Sequence, residues 1–289
     1  MFTNLLRFRG YRYLWWALGS TVVGWAIFAS HTGSEPPNGG TWQGYVLGTW
    51  SALLVLWLAL LGYRKRSYRS GLGTTQGWTS AHVYLGLAVW VLATLHCGAQ
   101  FGWNVHSLAY TLMSAVILSG VAGLYTYLNY PARLASNHAG HSRSELFAEL
   151  YQLNRDGQDL ARRLSGDMQT AVRSAIERTR IGGSVLAQLS GRDASSYETV
   201  EHGSRPNPDQ TAIIELVSSR ITRADKRAEV GHLQELLAVL CRRQSVLRRL
   251  REDVRLQGWL NAWLYLHVPL TIATLAALIA HIVSVFAYW

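Results

Sequence analysis

Cysteine is nearly missing from this chain of 289 residues, which carries only Cys97 and Cys241. Two cysteines exclude a disulfide framework and the four thiolates of an iron–sulfur cluster. Acidic side chains are scarce in most of the sequence, since 16 of the 17 Asp and Glu fall within residues 131–257. Five apolar stretches, residues 13–30, 45–63, 80–97, 107–127 and 259–288, hold no Lys, Arg, Asp or Glu. That excludes a carboxylate-rich metal site inside them. A Gly-x-Gly-x-x-Gly turn, a Walker loop and a strand-like alternation are also missing, so nucleotide and flavin binding are not expected.

What is present is apolar and aromatic: 49% hydrophobic residues, 12 Trp and 14 Tyr. Each of the five stretches is close to the roughly 20 residues that cross a hydrocarbon core as a helix. The predicted fold is all-α, an integral membrane bundle of five transmembrane helices with a helical insert between helices 4 and 5. Residues 1–130 hold helices 1–4, residues 131–257 the insert, and residues 258–289 helix 5. The first stretch has no small-residue cleavage site and is followed by further spans, so it is not read as a cleavable signal.

Outside the insert the basic residues are Arg7, Arg9, Arg12, Arg64, Lys65, Arg66 and Arg69. They precede helix 1 or lie between helices 2 and 3, on one side of the predicted bundle. The loops 31–44 and 98–106 and the C-terminus hold no Lys or Arg. The positive-inside rule then predicts a cytoplasmic N-terminus and insert and an external C-terminus, in a bacterial inner membrane. Cys97 and Cys241 fall in different compartments under this topology. The net charge of +10 reflects topology and attraction to membrane lipid, not a nucleic-acid partner.

Four histidines stand inside the apolar stretches, in two pairs of equal spacing. His82 and His96 are fourteen residues apart, and so are His267 and His281. Fourteen residues advance an α-helix by about 1400°, within roughly 40° of four turns, so each pair shares a face. They also rise about 21 Å, placing one histidine toward each side of the bilayer. Helices 3 and 5 are predicted to run in the same direction, so His82 meets His267 and His96 meets His281 at matching depths. Two facing imidazoles suit bis-histidine ligation of a haem iron, with each second ring nitrogen needing a carbonyl or hydroxyl acceptor. The competing reading is four polar residues hydrogen-bonded within a bundle. Zinc prefers four ligands close together, often with Cys, and covalent haem attachment needs a Cys-x-x-Cys-His that is absent.

Other features carry less chemistry. His31 and His106 lie at the external surface as interfacial residues, each a candidate partner for a quinone or a haem propionate. His138, His141, His202 and His232 read as solvated. Of the glycines in or at the ends of spans, Gly48 and Gly62 repeat the fourteen-residue spacing. Pro269 is expected to bend helix 5 near His267. Within the insert, which has 20 basic and 16 acidic residues, residues 144–164, 168–179 and 211–221 show helical periodicity. Residues 225–257 are expected to run directly into helix 5. Residues 182–209 read as a loop or mobile stretch, and the insert as a docking module for a redox partner.

In these paired histidines, including the run Leu266-His267-Val268-Pro269-Leu270, the membrane part resembles membrane di-haem b-type cytochromes. Examples are the cytochrome b of respiratory bc complexes and the transmembrane domain of ferric reductases and NADPH oxidases. The resemblance covers a little over half of the chain and lies in spacing more than in a long motif. It implies two non-covalent haem b groups, on His82 with His267 and on His96 with His281, and electron flow across the membrane. Two departures limit it. Trp289 directly follows the last span, so the flavin and nicotinamide domain of the reductases is not expected. The Pro-Glu-Trp-Tyr quinol motif of bc cytochromes is absent.

The expected function is a di-haem electron-transfer subunit of a larger respiratory oxidoreductase, with other redox subunits as partners and quinone as a further candidate ligand. The alternatives are a non-redox membrane scaffold or sensor, and a histidine-dependent metal or proton transporter. Arg64, Lys65, Arg66 and Arg69 sit where haem propionates would emerge, although lipid contact explains them equally well.

Overall fold

The computed structural model describes residues 5–34, 36–67, 71–138, 140–201, 203–224 and 226–287. Arg69, His202 and the end of the fifth stretch at Tyr288 lie outside the described residues, as do Asp225 and Trp289. The protein is mostly helical, at 77%. In chain order the elements are α1 (Arg12–Ala29), α2 (Trp42–Arg66), α3 (Thr75–His96), α4 (Val105–His138), α5 (Arg143–Ala161), α6 (Gly166–Glu177) and α7 (Val185–Ser190). Strands β1 (Ser196–Thr199) and β2 (Gly203–Pro206) follow, then α8 (Thr211–Arg223) and α9 (Arg227–Ala287). The chain divides into two compact units, Met1–Leu128 with Ala262–Trp289, and Asn129–Asn261.

In the first unit, α2, α3, α4 and α9 are long and apolar enough to cross a membrane. The expected fifth span is not among them. Helix α1 has only 18 residues, and Arg12, Gly19, Ser20, Thr21 and three tryptophans dilute its aliphatic content. Helices α1, α2 and α3 pack against one another. Thr41 and Thr74 cap the starts of α2 and α3, each hydroxyl accepting a backbone N–H, from Gly44 and Gly77 respectively, at 3.1 Å. Leu47, Leu92 and Leu95 form one buried cluster, and Leu58, Val89, Ala93 and Met113 a second. The Leu92 side chain sits tight on Gly24, so that an added Cβ there would require the leucine methyl to shift.

The second unit is built around two buried, leucine-containing clusters. Met168, Ala171, Val172, Tyr197, Ile213 and Leu236 pack in one cluster, while Leu146, Leu150, Leu247 and Leu250 pack in another. Helices α5, α6 and α8 fall on the periodic segments expected from the sequence, and residues 227–257 belong to the same helix as the fifth apolar stretch. The stretch 182–209 is more ordered than expected. It forms α7, the antiparallel β1–β2 hairpin with Tyr197 paired to Arg205, and a 3₁₀ turn over Pro208–Gln210. Buried Asn207 anchors it, its N–H donating to the Ser195 carbonyl at 2.8 Å. A single buried side chain, Tyr197 of β1, with β2 exposed throughout, leaves no alternation to read in the sequence.

A buried arginine ties this unit together. Arg243 is 1% exposed and donates to Asn154 at 2.7 Å, Gln210 at 2.5 Å and Thr179 at 2.7 Å. Burial, with the neighbouring Arg251 charge, pushes its pKa down to about 10, so it stays protonated at neutral pH. His138 also departs from its expected solvated state. Its Nε2 lies 2.8 Å from Asp253, a buried carboxylate that Arg143 also approaches at 3.2 Å.

Candidate functional site

The four histidines of the apolar stretches lie on α3 and α9, and each has a ring nitrogen engaged. His82 Nδ1 is 3.1 Å from the Leu58 carbonyl of α2, and His96 Nδ1 is 2.7 Å from the Gly44 carbonyl. A carbonyl only accepts, so both rings donate from Nδ1 and keep the lone pair at Nε2. His267 Nδ1 is 2.7 Å from the Ser119 hydroxyl of α4. That hydroxyl donates its one proton to the Val116 carbonyl at 2.7 Å. It must therefore accept from His267, which again leaves Nε2 unprotonated. These three contacts provide the acceptors that a metal-bound imidazole uses to fix its tautomer.

His82 and His267 line one cavity of about 240 Å³. Its other walls are mainly apolar, with Leu58, Val89 and Met113 among them; Thr271 and Thr274 also line it, their hydroxyls donating to α9 carbonyls, and Gly86 and Gly120 contribute no side chain. A Cβ on Gly120 would stand 3.6 Å from His267 Cε1. Two imidazole lone pairs in an apolar slot match the donor set of a bis-histidine haem. The volume is below the roughly 300–1,000 Å³ of sites that enclose a drug-sized ligand. A macrocycle seated there would extend beyond the closed part of the cavity.

The second couple is built differently. The rings of His96 and His281 are 6.0 Å apart between centroids, at 86° to each other. His96 lies against Gly48, where a Cβ would fall 2.7 Å from its Cε1. His281 Nδ1 is 2.5 Å from His106 Nδ1, so a single proton lies between these two rings. His106, expected at the outer end of helix 4, is exposed near the start of α4 and makes this contact with His281. His31 faces Gln43 at 3.4 Å. Among the described residues, no group of three or more His, Cys, Asp or Glu is arranged to hold a metal ion.

Two features escaped sequence reading. Ser119 is a hub, accepting from His267 at its hydroxyl and from Trp263 Nε1 at its carbonyl, 2.8 Å away. The signal available was the run of small residues Ser119, Gly120 and Gly123 on α4, since the Trp263 indole rests directly on Gly123. Arg64 is the second. It is buried, and its two terminal nitrogens donate to the Ser67 carbonyl at 2.9 Å and the Gly73 carbonyl at 2.5 Å. That holds the α2–α3 connection and removes Arg64 from the set free to meet a propionate. Compared with protein-family models, curated proteins and solved structures, the chain matches none.

Proposed function

We propose that this protein is a membrane di-haem b-type cytochrome that carries electrons between the two membrane faces. The observation that carries the reading is the apolar cavity lined by His82 and His267, with both Nδ1 atoms held by acceptors that leave Nε2 free. Haem b held there would supply a one-electron iron couple. His82 and His267 would be its ligands, and His96 and His281 those of a second haem. Leu58 and Ser119 orient the first pair of rings, while Val89 and Met113 keep water from the site. Basic residues before α1 and at the end of α2 favour the cytoplasm, which orients the bundle. Redox subunits and quinone are the partners that would complete the reaction, and the second unit is the surface for docking them.

The optical spectrum of the purified full-length protein tests this. A reduced α-band of haem b that disappears in the His82, His96, His267 and His281 quadruple Ala variant is the expected result. A colourless wild type, or full haem retention in that variant, would overturn the proposal. The short His106–His281 contact, with His96 beside it, favours one other reading: proton or metal transfer along histidines. A colourless protein that moves protons or metal ions into vesicles would establish that instead.

A further inference from the structure

The segment before α1 and the first turns of that helix form a groove of about 610 Å³ against Trp50 of α2. The lining carries the cations Arg9 and Arg12 and includes no acidic residue. The rest is apolar or small, with Trp15 and Trp16 as aromatic walls and Gly19 leaving the floor open. Trp15 and Trp16 are 67% and 62% exposed, so their rings are available to a ligand or lipid lying in the groove.

The arginines are held in place before any ligand arrives. Leu5 is buried, Tyr84 Oη donates to the Leu6 carbonyl at 3.0 Å, and Phe8 stacks on Tyr13 with centroids 5.9 Å apart. Between these anchors, Arg9, Gly10 and Tyr11 are all left-handed, with φ of 44°, 66° and 62°. For Arg9 and Tyr11 that conformation is costly, and it persists only where the surroundings impose it. Arg9 and Arg12 both line the groove, their guanidinium groups over the stacked rings of Phe8 and Tyr13 at 5.6 and 5.9 Å.

We propose that this groove is a binding site for an anionic phospholipid, with its phosphate on Arg9 and Arg12 and an acyl chain along Trp15, Trp16 and Gly19. Charge complementarity selects the headgroup, since a guanidinium presents a planar fork suited to phosphate oxygens. Tryptophan is suited to the boundary between headgroup and chain. The site requires that the protein be in a membrane but does not rest on the haem reading.

Native mass spectrometry of the full-length protein, released from micelles containing dioleoyl phosphatidylglycerol or dioleoyl phosphatidylcholine, tests it. The wild type is expected to retain one phosphatidylglycerol in preference to phosphatidylcholine. Arg9→Gln with Arg12→Gln should weaken that retention by roughly 30-fold. Gly19→Leu keeps both charges and adds a side chain where no atom lies within 4 Å of the new Cβ. It should fill the groove and lower retention while the protein stays folded by circular dichroism. Equal retention of the two lipids overturns the proposal. Undiminished phosphatidylglycerol binding in Gly19→Leu overturns it too, because the attraction would then be diffuse charge. Displacement of the lipid by millimolar inorganic phosphate would make a free anion the occupant and would equally overturn it. Haem content, measured on the same samples, should not change.

Discussion

At the first couple, the rings of His82 and His267 rest on a backbone carbonyl and a serine hydroxyl whose proton is already committed. At the second couple, His96 has a carbonyl, but His281 faces a third imidazole. The first couple borders a cavity, whereas the His96 ring lies on Gly48. Identical spacing on α3 and α9 therefore yields two unlike sites. Helical period fixes depth and face, while residues on α2 and α4 decide tautomer, room and polarity. If both couples hold haem, the two should differ in affinity and potential, because these partners tune a ligand's basicity.

Removing a ligand should have the largest effect. His267→Ala is expected to lose about half of the bound haem, with the remaining signal belonging to the second couple. Haem-to-protein stoichiometry checks this, and an unchanged ratio would remove His267 from the ligand set. Gly48→Ala comes next and acts on the other couple. A methyl there meets the His96 ring at 2.7 Å, so the second haem signal should fall while the first persists. Gly62→Ala is the control, since nothing lies within 4 Å of its Cβ position and Ala favours a helix by about 1 kcal/mol. Similar losses in both glycine variants would mean that haem binding responds to α2 as a whole.

Ser119→Ala should be milder. It strands the His267 Nδ1–H, at a cost of about 1–3 kcal/mol, and should weaken haem binding at the first couple by roughly 10–100-fold. Titrating haem into the apoprotein would measure it, and unchanged affinity would show that Ser119 does not orient the ligand. The smallest expected change is that of His106→Ala, which should move the midpoint potential of the second couple alone. Redox titration following both haems checks this; an equal shift in the two would break the distinction between the couples.

Much of this was legible in the sequence because the signals are local. Apolar length marks α2, α3, α4 and the last part of α9, and periodicity marks α5, α6 and α8. The equal histidine spacing already implied shared faces. The rest depends on partners distant in the chain. Nothing near Ser119 indicates that His267 will donate to it from α9, and nothing near His138 announces Asp253. The β1–β2 hairpin was missed because Tyr197 is its single buried side chain, too little to produce an alternation. Helix α1 falls outside the set marked by apolar length because tryptophan counts as hydrophobic but adds little to mean hydropathy.

The fork of Arg64 across the α2–α3 connection has a consequence for biogenesis. Its terminal nitrogens reach carbonyls on both sides of the turn, so α2 and α3 can close on each other before later helices are synthesised. The hairpin would then enter the bilayer as a unit, with the guanidinium left at its tip. Lysine keeps the charge that sets orientation but cannot span two carbonyls with a planar fork. Arg64→Lys should therefore insert with unchanged topology while its α2–α3 turn becomes easier to cleave by protease. An inverted topology in that variant would instead tie orientation to the closed turn.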